Sequence, residues 1–201
     1  SALLEKGYLV SQNALSLAKT KKEKLYGAAL ASFYEDGLNK SKQARLDAFK
    51  NGWMTAREEL PEDIEARMFS VLTMLATVSP YDKSYKVQRE AGESAEKVLD
   101  IIPDHPAGFH YAIHAYDVPL LSGNAIRVAK NYYKIAPELP HALHMPTHIF
   151  TRLGYWDESI ELNSRSAVAA LKYPVGDQIS GHYFHALDYL AYAYLQNSEL
   201  E

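Results

Sequence analysis

The chain has 201 residues, of which 47% are hydrophobic, 23% charged and 11% aromatic, the proportions of a globular protein with enough apolar side chain to build a core. Its 21 Lys and Arg against 25 Asp and Glu give a net charge of -4 with histidine neutral, which offers no broad basic surface and excludes nucleic acid as an expected partner. Cysteine is absent, so disulfide scaffolds, thiolate metal sites and cysteine nucleophiles drop out, and any metal has to be held by nitrogen and oxygen. No apolar stretch approaches the roughly 20 residues of a membrane span. The first residues lack the basic start, apolar centre and small-residue cleavage site of a secretory signal, and a leader removed earlier would leave no trace.

Apolar residues recur at three- and four-residue steps along nearly the whole chain, with no hairpin signal. This period predicts helices near 2–18, 21–36, 41–59, 62–77, 86–101, 107–117, 124–136, 141–153, 157–171 and 181–196. In chain order, KTKKEK near Lys19 reads as a solvated helix start. Glu65 is either a carboxylate ligand or a first-turn acid favoured by the helix dipole. ATVSPYDKSYK is the one longer turn, and His105, just before Pro106, reads as a cap. Pro146 falls inside HALHMPTHIF, where a helix-interior proline costs roughly 3 kcal/mol. Either the helix tolerates it for a functional reason, or the helix starts only at Thr147 and leaves His141 and His144 on a loop. Tyr155 and Trp156 are expected to pack at the following turn.

Internal spacing identifies a repeat. Pro106, Pro140 and Pro174 are each 34 residues apart, as are Pro103 and Pro137, Ile126 and Ile160, His110 and His144, and His114, His148 and His182. A 34-residue helix-turn-helix unit is the tetratricopeptide period. LGYWDESIEL (Leu153 to Leu162) resembles that family's inter-helix turn, in which a glycine ends the first helix and an aromatic packs at the start of the second. IAPELP (Ile135 to Pro140) resembles its terminal proline turn. HPAGFHYAIHAYDVP (His105 to Pro119), APELPHALHMPTHIFTRLGYW (Ala136 to Trp156) and HALDYLAYAYLQ (His185 to Gln196) are similar to a group of bacterial tetratricopeptide proteins that carry these His motifs.

The resemblance implies an all-α solenoid of antiparallel helix pairs, one domain over 1–201 with its clearest repeats in 103–172, and a fragment of a longer repeat protein. It leaves cytoplasm and bacterial periplasm both open. Repeat arrays normally finish with a polar capping helix, whereas this chain stops at NSELE. Leu187, Leu190, Ala191 and Tyr194 are therefore expected to be covered by a second copy or by further residues. Asn163 stands where the repeat usually has an apolar residue, and it is expected to hydrogen-bond a groove histidine and fix its tautomer.

All eight histidines lie between His105 and His185, and residues 105–185 hold only six Lys and Arg and six Asp and Glu, against 15 and 16 in residues 1–104. His110 and His114, and His144 and His148, are pairs one helical turn apart, with His141 one step of three before the second pair and Asp117 one step of three after the first. His182, His185, Asp188 and Tyr192 share a face of the last helix. If the helices stack as the resemblance implies, these rows line one concave groove.

Imidazole is the commonest ligand of borderline divalent metals. The expected ligands are His110, His114, His144, His148 and His185, with Asp117 or Asp188 as carboxylate ligand or base, for Zn, Cu, Fe or Mn. His141, His182, Arg152, Tyr192 and Glu65 are expected to line the groove, Arg152 as an anchor for an anion or in a surface salt bridge. Ordinary packing among the ten tyrosines of 105–194 is the competing account of the histidines.

Three functions are open to this groove. It is a binding module for a metal ion or a small or peptide ligand, a metal-dependent enzyme using the same cluster, or a protein interaction scaffold. Phosphate loops, GxSxG elbows and HExxH motifs are absent, which removes kinase, serine hydrolase and zincin readings.

Overall fold

The computed structural model describes residues 2–197, and among them the chain forms ten α-helices with no strand beyond one isolated bridge, Val175 to Gln178. They are α1 (Ala2–Leu17), α2 (Lys21–Tyr34), α3 (Lys42–Glu59), α4 (Ile64–Thr77), α5 (Lys86–Ile101), α6 (Pro106–Tyr116), α7 (Ile126–Ile135), α8 (Pro140–Leu153), α9 (Trp156–Lys172) and α10 (Gly181–Gln196). A short 3-10 helix, Ser122–Ala125, leads into α7. Every helix expected from the period is present, with ends displaced by two residues or fewer.

Local chemistry sets those ends. Thr20 accepts from the Glu23 amide while the Glu23 carboxylate accepts from Thr20 N, a capping box that starts α2 at the lysine-rich segment. Ser41, Asp63 and Ser180 cap α3, α4 and α10 with side-chain oxygens. His105 caps α6 through its ring nitrogen, in keeping with its place before Pro106. Pro106 and Pro140 occupy first-turn positions, where the missing N–H costs nothing.

The chain divides into two compact units, Ser1–Ser94 and Ala95–Glu201. In the first, α1 to α4 pack each against the next. Its core is Ala29, Trp53, Ala56 and Ala66, flanked by Leu25, Tyr26 and Phe49, and Trp53 stacks on Phe69 with centroids 4.4 Å apart. Gly52 lets α3 touch α2 backbone to backbone, since a Cβ there would lie 2.7 Å from the Ala29 Cα.

In the second unit, α7 packs on α6, α8 on α7, α9 on α8 and α10 on α9, while α8 also meets both α6 and α10. Thus α6, α8 and α10 form one row, and α7 and α9 a second row behind it. Val128, Ala129, Leu143, Met145, Ile149, Phe150, Leu162 and Ala170 fill the space between rows. On α10, Leu187, Leu190 and Tyr194 are half-buried and Ala191 is exposed. The stretch from Ser198 on, where the expectation about the chain's ending falls, lies outside the described residues. Among those described, no helix is long and apolar enough to cross a membrane.

Helix α8 runs unbroken through Pro146, so His141, His144 and His148 stand on one helix rather than on a loop. It ends at Gly154, whose φ of 75° is the left-handed conformation that glycine adopts without a Cβ penalty. Gly154→Ala is expected to lower stability by about 1 kcal/mol, read as a lower urea midpoint with unchanged slope; an unchanged midpoint would show that this cap does not constrain the fold.

Candidate metal centre

The row α6, α8, α10 carries every histidine except the His105 cap. Helical spacing stacks His110 over His114 on α6, and His141, His144 and His148 along α8. The side chains gather into two groups, His110, His114 and His141, and His144, His148 and His185, each with one ligand nitrogen per ring and all three nitrogens within 4.8 Å of one another. The centroids of His114 and His148, one ring from each group, are 6.3 Å apart.

The second group is buttressed. Asn163, fully buried on α9, donates from Nδ2 to the Ser159 carbonyl at 2.9 Å, which turns its Oδ1 toward His144 Nδ1 at 2.8 Å. An amide oxygen only accepts, so His144 carries its proton on Nδ1. Thr147 Oγ1 lies 3.3 Å from the same oxygen. On the adjacent ring, His148 Nδ1 faces Asp117 Oδ2 at 2.9 Å, and an ionised carboxylate likewise fixes the proton on Nδ1. Asp117 is held in turn by Arg152, whose Nε donates to Oδ1 at 2.8 Å and whose terminal nitrogen donates to the Asp117 carbonyl at 3.3 Å. Burial alone would raise the Asp117 pKa, but the bonds from His148 and Arg152 outweigh it and keep the carboxyl below its usual range.

These assignments leave a conflict at the front of the rings. His144 Nε2 and His148 Nε2 lie 3.0 Å apart, and with both Nδ1 protons committed, two neutral rings would present lone pair to lone pair. A cation between them resolves the contact, either a proton on one Nε2 or a metal ion bound by both. Two nitrogens 3.0 Å apart subtend about 90° at an ion bound roughly 2.1 Å from each. The His185 ring lies 4.4 Å from that of His144, centroid to centroid, and completes the group.

Burial favours the neutral form of His110, His114, His141 and His144. Burial, with like charge from His114, His141 and His148, lowers the His110 pKa to about 3. Burial lowers His144 to about 3 despite its bond to Asn163, and lowers His141 to about 4 with help from the neighbouring rings. Desolvation among these rings also lowers His114, although its side chain still reaches solvent.

The remaining expected residues occupy varied positions. Asp117, the residue that ends α6, is a hydrogen-bond acceptor at His148 Nδ1, on the opposite side of the imidazole from Nε2. Asp188 is exposed and belongs to neither His group; it lines a cavity of about 590 Å³ beside His148 with Asp117, Arg152, Tyr189 and Tyr192. Arg152 pairs with Asp117. His182 lies beside His141, with centroids 5.4 Å apart. Tyr192 packs edge-on against Trp156. Glu65 is an exposed first-turn acid of α4, in the other unit.

Tyr189 lies outside the expected set, yet its ring lies 4.7 Å from that of His144 and its hydroxyl 3.2 Å from His148 Nδ1. Its separation of four from His185 is the signal that points to it. The buried Ser159 that orients Asn163 has a similar signal, four residues before it on α9.

No protein-family model matches the chain, and no curated protein sequence matches it.

The lowered pKa values set an acid limit on the fold. A histidine depressed in the folded state supports folding above its unfolded value near 6.5, and that support is lost as pH falls toward the folded value. The metal-free chain is therefore expected to lose thermal stability progressively from pH 6.5 to pH 4, with a smaller loss in His144→Gln. A melting temperature that stays flat from pH 7 to pH 5 in the wild type would contradict the burial of these rings.

Proposed function

We propose that this chain is a tetratricopeptide-like helical-repeat protein whose second unit binds a divalent transition metal through His144, His148 and His185. The carrying observation is the 3.0 Å approach of two Nε2 atoms whose rings already commit their Nδ1 protons to Asn163 and Asp117. Preoriented imidazoles backed by an amide and a carboxylate are how metal-ligating histidines are held. An all-imidazole donor set suits Zn, Cu or Fe(II) over Mg and Ca, and makes Mn the weakest of the four metals expected from sequence.

A metal-dependent enzyme is the second reading, favoured by the cavity of about 590 Å³ that opens beside His148. Three protein ligands with an accessible side are the arrangement that leaves an ion free to activate water. There Tyr189, whose pKa burial raises, would keep its proton and serve as a hydrogen-bond donor to a bound oxygen.

The chain stripped with chelator and dialysed against Zn(II) or Cu(II) is expected to retain metal on elemental analysis. At a free metal concentration 100 times Kd the fold should gain about 2.7 kcal/mol. The double variant His144→Ala/His148→Ala should lose both effects at this group, and Mg(II) should produce neither. Wild-type affinity should weaken in acid, because protons compete for the same nitrogens. Absence of retained metal and of any thermal shift with Zn, Cu, Fe(II) or Mn would overturn the reading.

A further inference from the structure

We infer that the neighbouring group His110, His114 and His141 takes a second ion, so that the site loads two transition metals in order, the buttressed group first. This rests on the metal-binding function proposed for His144, His148 and His185. His110 Nε2 lies 3.0 Å from both His114 Nε2 and His141 Nε2. One imidazole nitrogen carries either one proton or one lone pair, so neutral rings satisfy one of these contacts well and the other poorly. An ion at the convergence of the three nitrogens satisfies all of them.

The ligand sets interlock. Helix α6 supplies His110 and His114, and α8 supplies His141 to this group and both His144 and His148 to the other. Asp117 bonds His148, and its charge also acts on His114, so one carboxylate serves both groups.

The order of loading comes from what stands behind the rings. His144 and His148 have their rear nitrogens held by Asn163 and Asp117. His141 Nδ1, by contrast, is buried with no hydrogen-bond partner among the described residues. Loss of such rear partners typically costs 10-fold to 100-fold in metal affinity. The charge of the first ion further disfavours the second. The second step is therefore at least tenfold weaker than the first.

Titration calorimetry of the metal-free full chain with Zn(II) should show two ions per chain in two resolved steps. Asn163→Ala should weaken the tight step about tenfold, whereas His141→Ala should remove the weak step and spare the tight one. With two equivalents of Cu(II), electron paramagnetic resonance should show dipolar broadening between paired ions, absent at one equivalent and absent in His141→Ala. His110→Ala provides the same readouts should His141→Ala fail to fold, as judged by circular dichroism. One ion per chain, insensitive to both of these variants, would overturn the pairing while leaving the buttressed site intact. Two ions without broadening would also overturn it. No binding of any ion would instead overturn the proposed metal-binding function itself.

Discussion

The amide of Asn163 donates to the Ser159 carbonyl one turn earlier on α9, and this bond decides the chemistry of the seam in front of it. With the amide nitrogen so engaged, the oxygen faces His144 and dictates which ring nitrogen carries the proton. The same choice is imposed on His148 by Asp117, itself anchored by Arg152. Each residue in this chain of contacts would be costly if buried alone, since an unsatisfied buried polar group costs about 1–3 kcal/mol. The network is worth its desolvation only when complete, and it ends in the two Nε2 atoms of His144 and His148, 3.0 Å apart.

Helix α8 carries this arrangement at a local cost. Pro146 has no N–H to donate to the Ala142 carbonyl, yet the helix continues because nine of its fourteen residues are buried. Side-chain bonds tie it down further: Ser166 Oγ donates to the Pro140 carbonyl, and Thr147 Oγ1 to that of His144. Continuity through the proline keeps His141 and His148 on one face at a separation of seven. An α8 beginning at Thr147 would have left His141 without a fixed direction. Packing thus overrides a local rule where doing so aligns three imidazoles.

Much of this is legible in the sequence, for identifiable reasons. Helix positions derive from apolar period and cap chemistry, both of which are local, so even the ends agree within two residues. The pairs His110/His114 and His144/His148 share faces by spacing alone, and Asn163 betrays itself as a polar residue at an apolar position. What cannot be read is the rotation of each helix about its axis. That rotation, set by contacts between rows, sends Tyr189 rather than Asp188 toward His148. It also turns Asp117 to the back of a ring instead of the front. For the same reason the grouping of the rings into two triads is not legible: which rings converge depends on distances between helices, and spacing within one helix is silent on those.

The scarcity of fixed charge around the histidines has a physical role. A carboxylate beside each imidazole would favour its protonated form and raise its pKa, so protons would compete with metal near neutral pH. Among the described residues the carboxylate hydrogen-bonded to these His groups is Asp117, and it is engaged by an arginine as well as a histidine. Burial then acts almost unopposed, and His110, His141 and His144 stay neutral well below pH 6. The missing carboxylates also remove the oxygen donors that Mg and Ca require. Depletion of charge over 105–185 therefore keeps the ring nitrogens unprotonated, and on the proposed metal-binding reading it would also favour borderline transition metals.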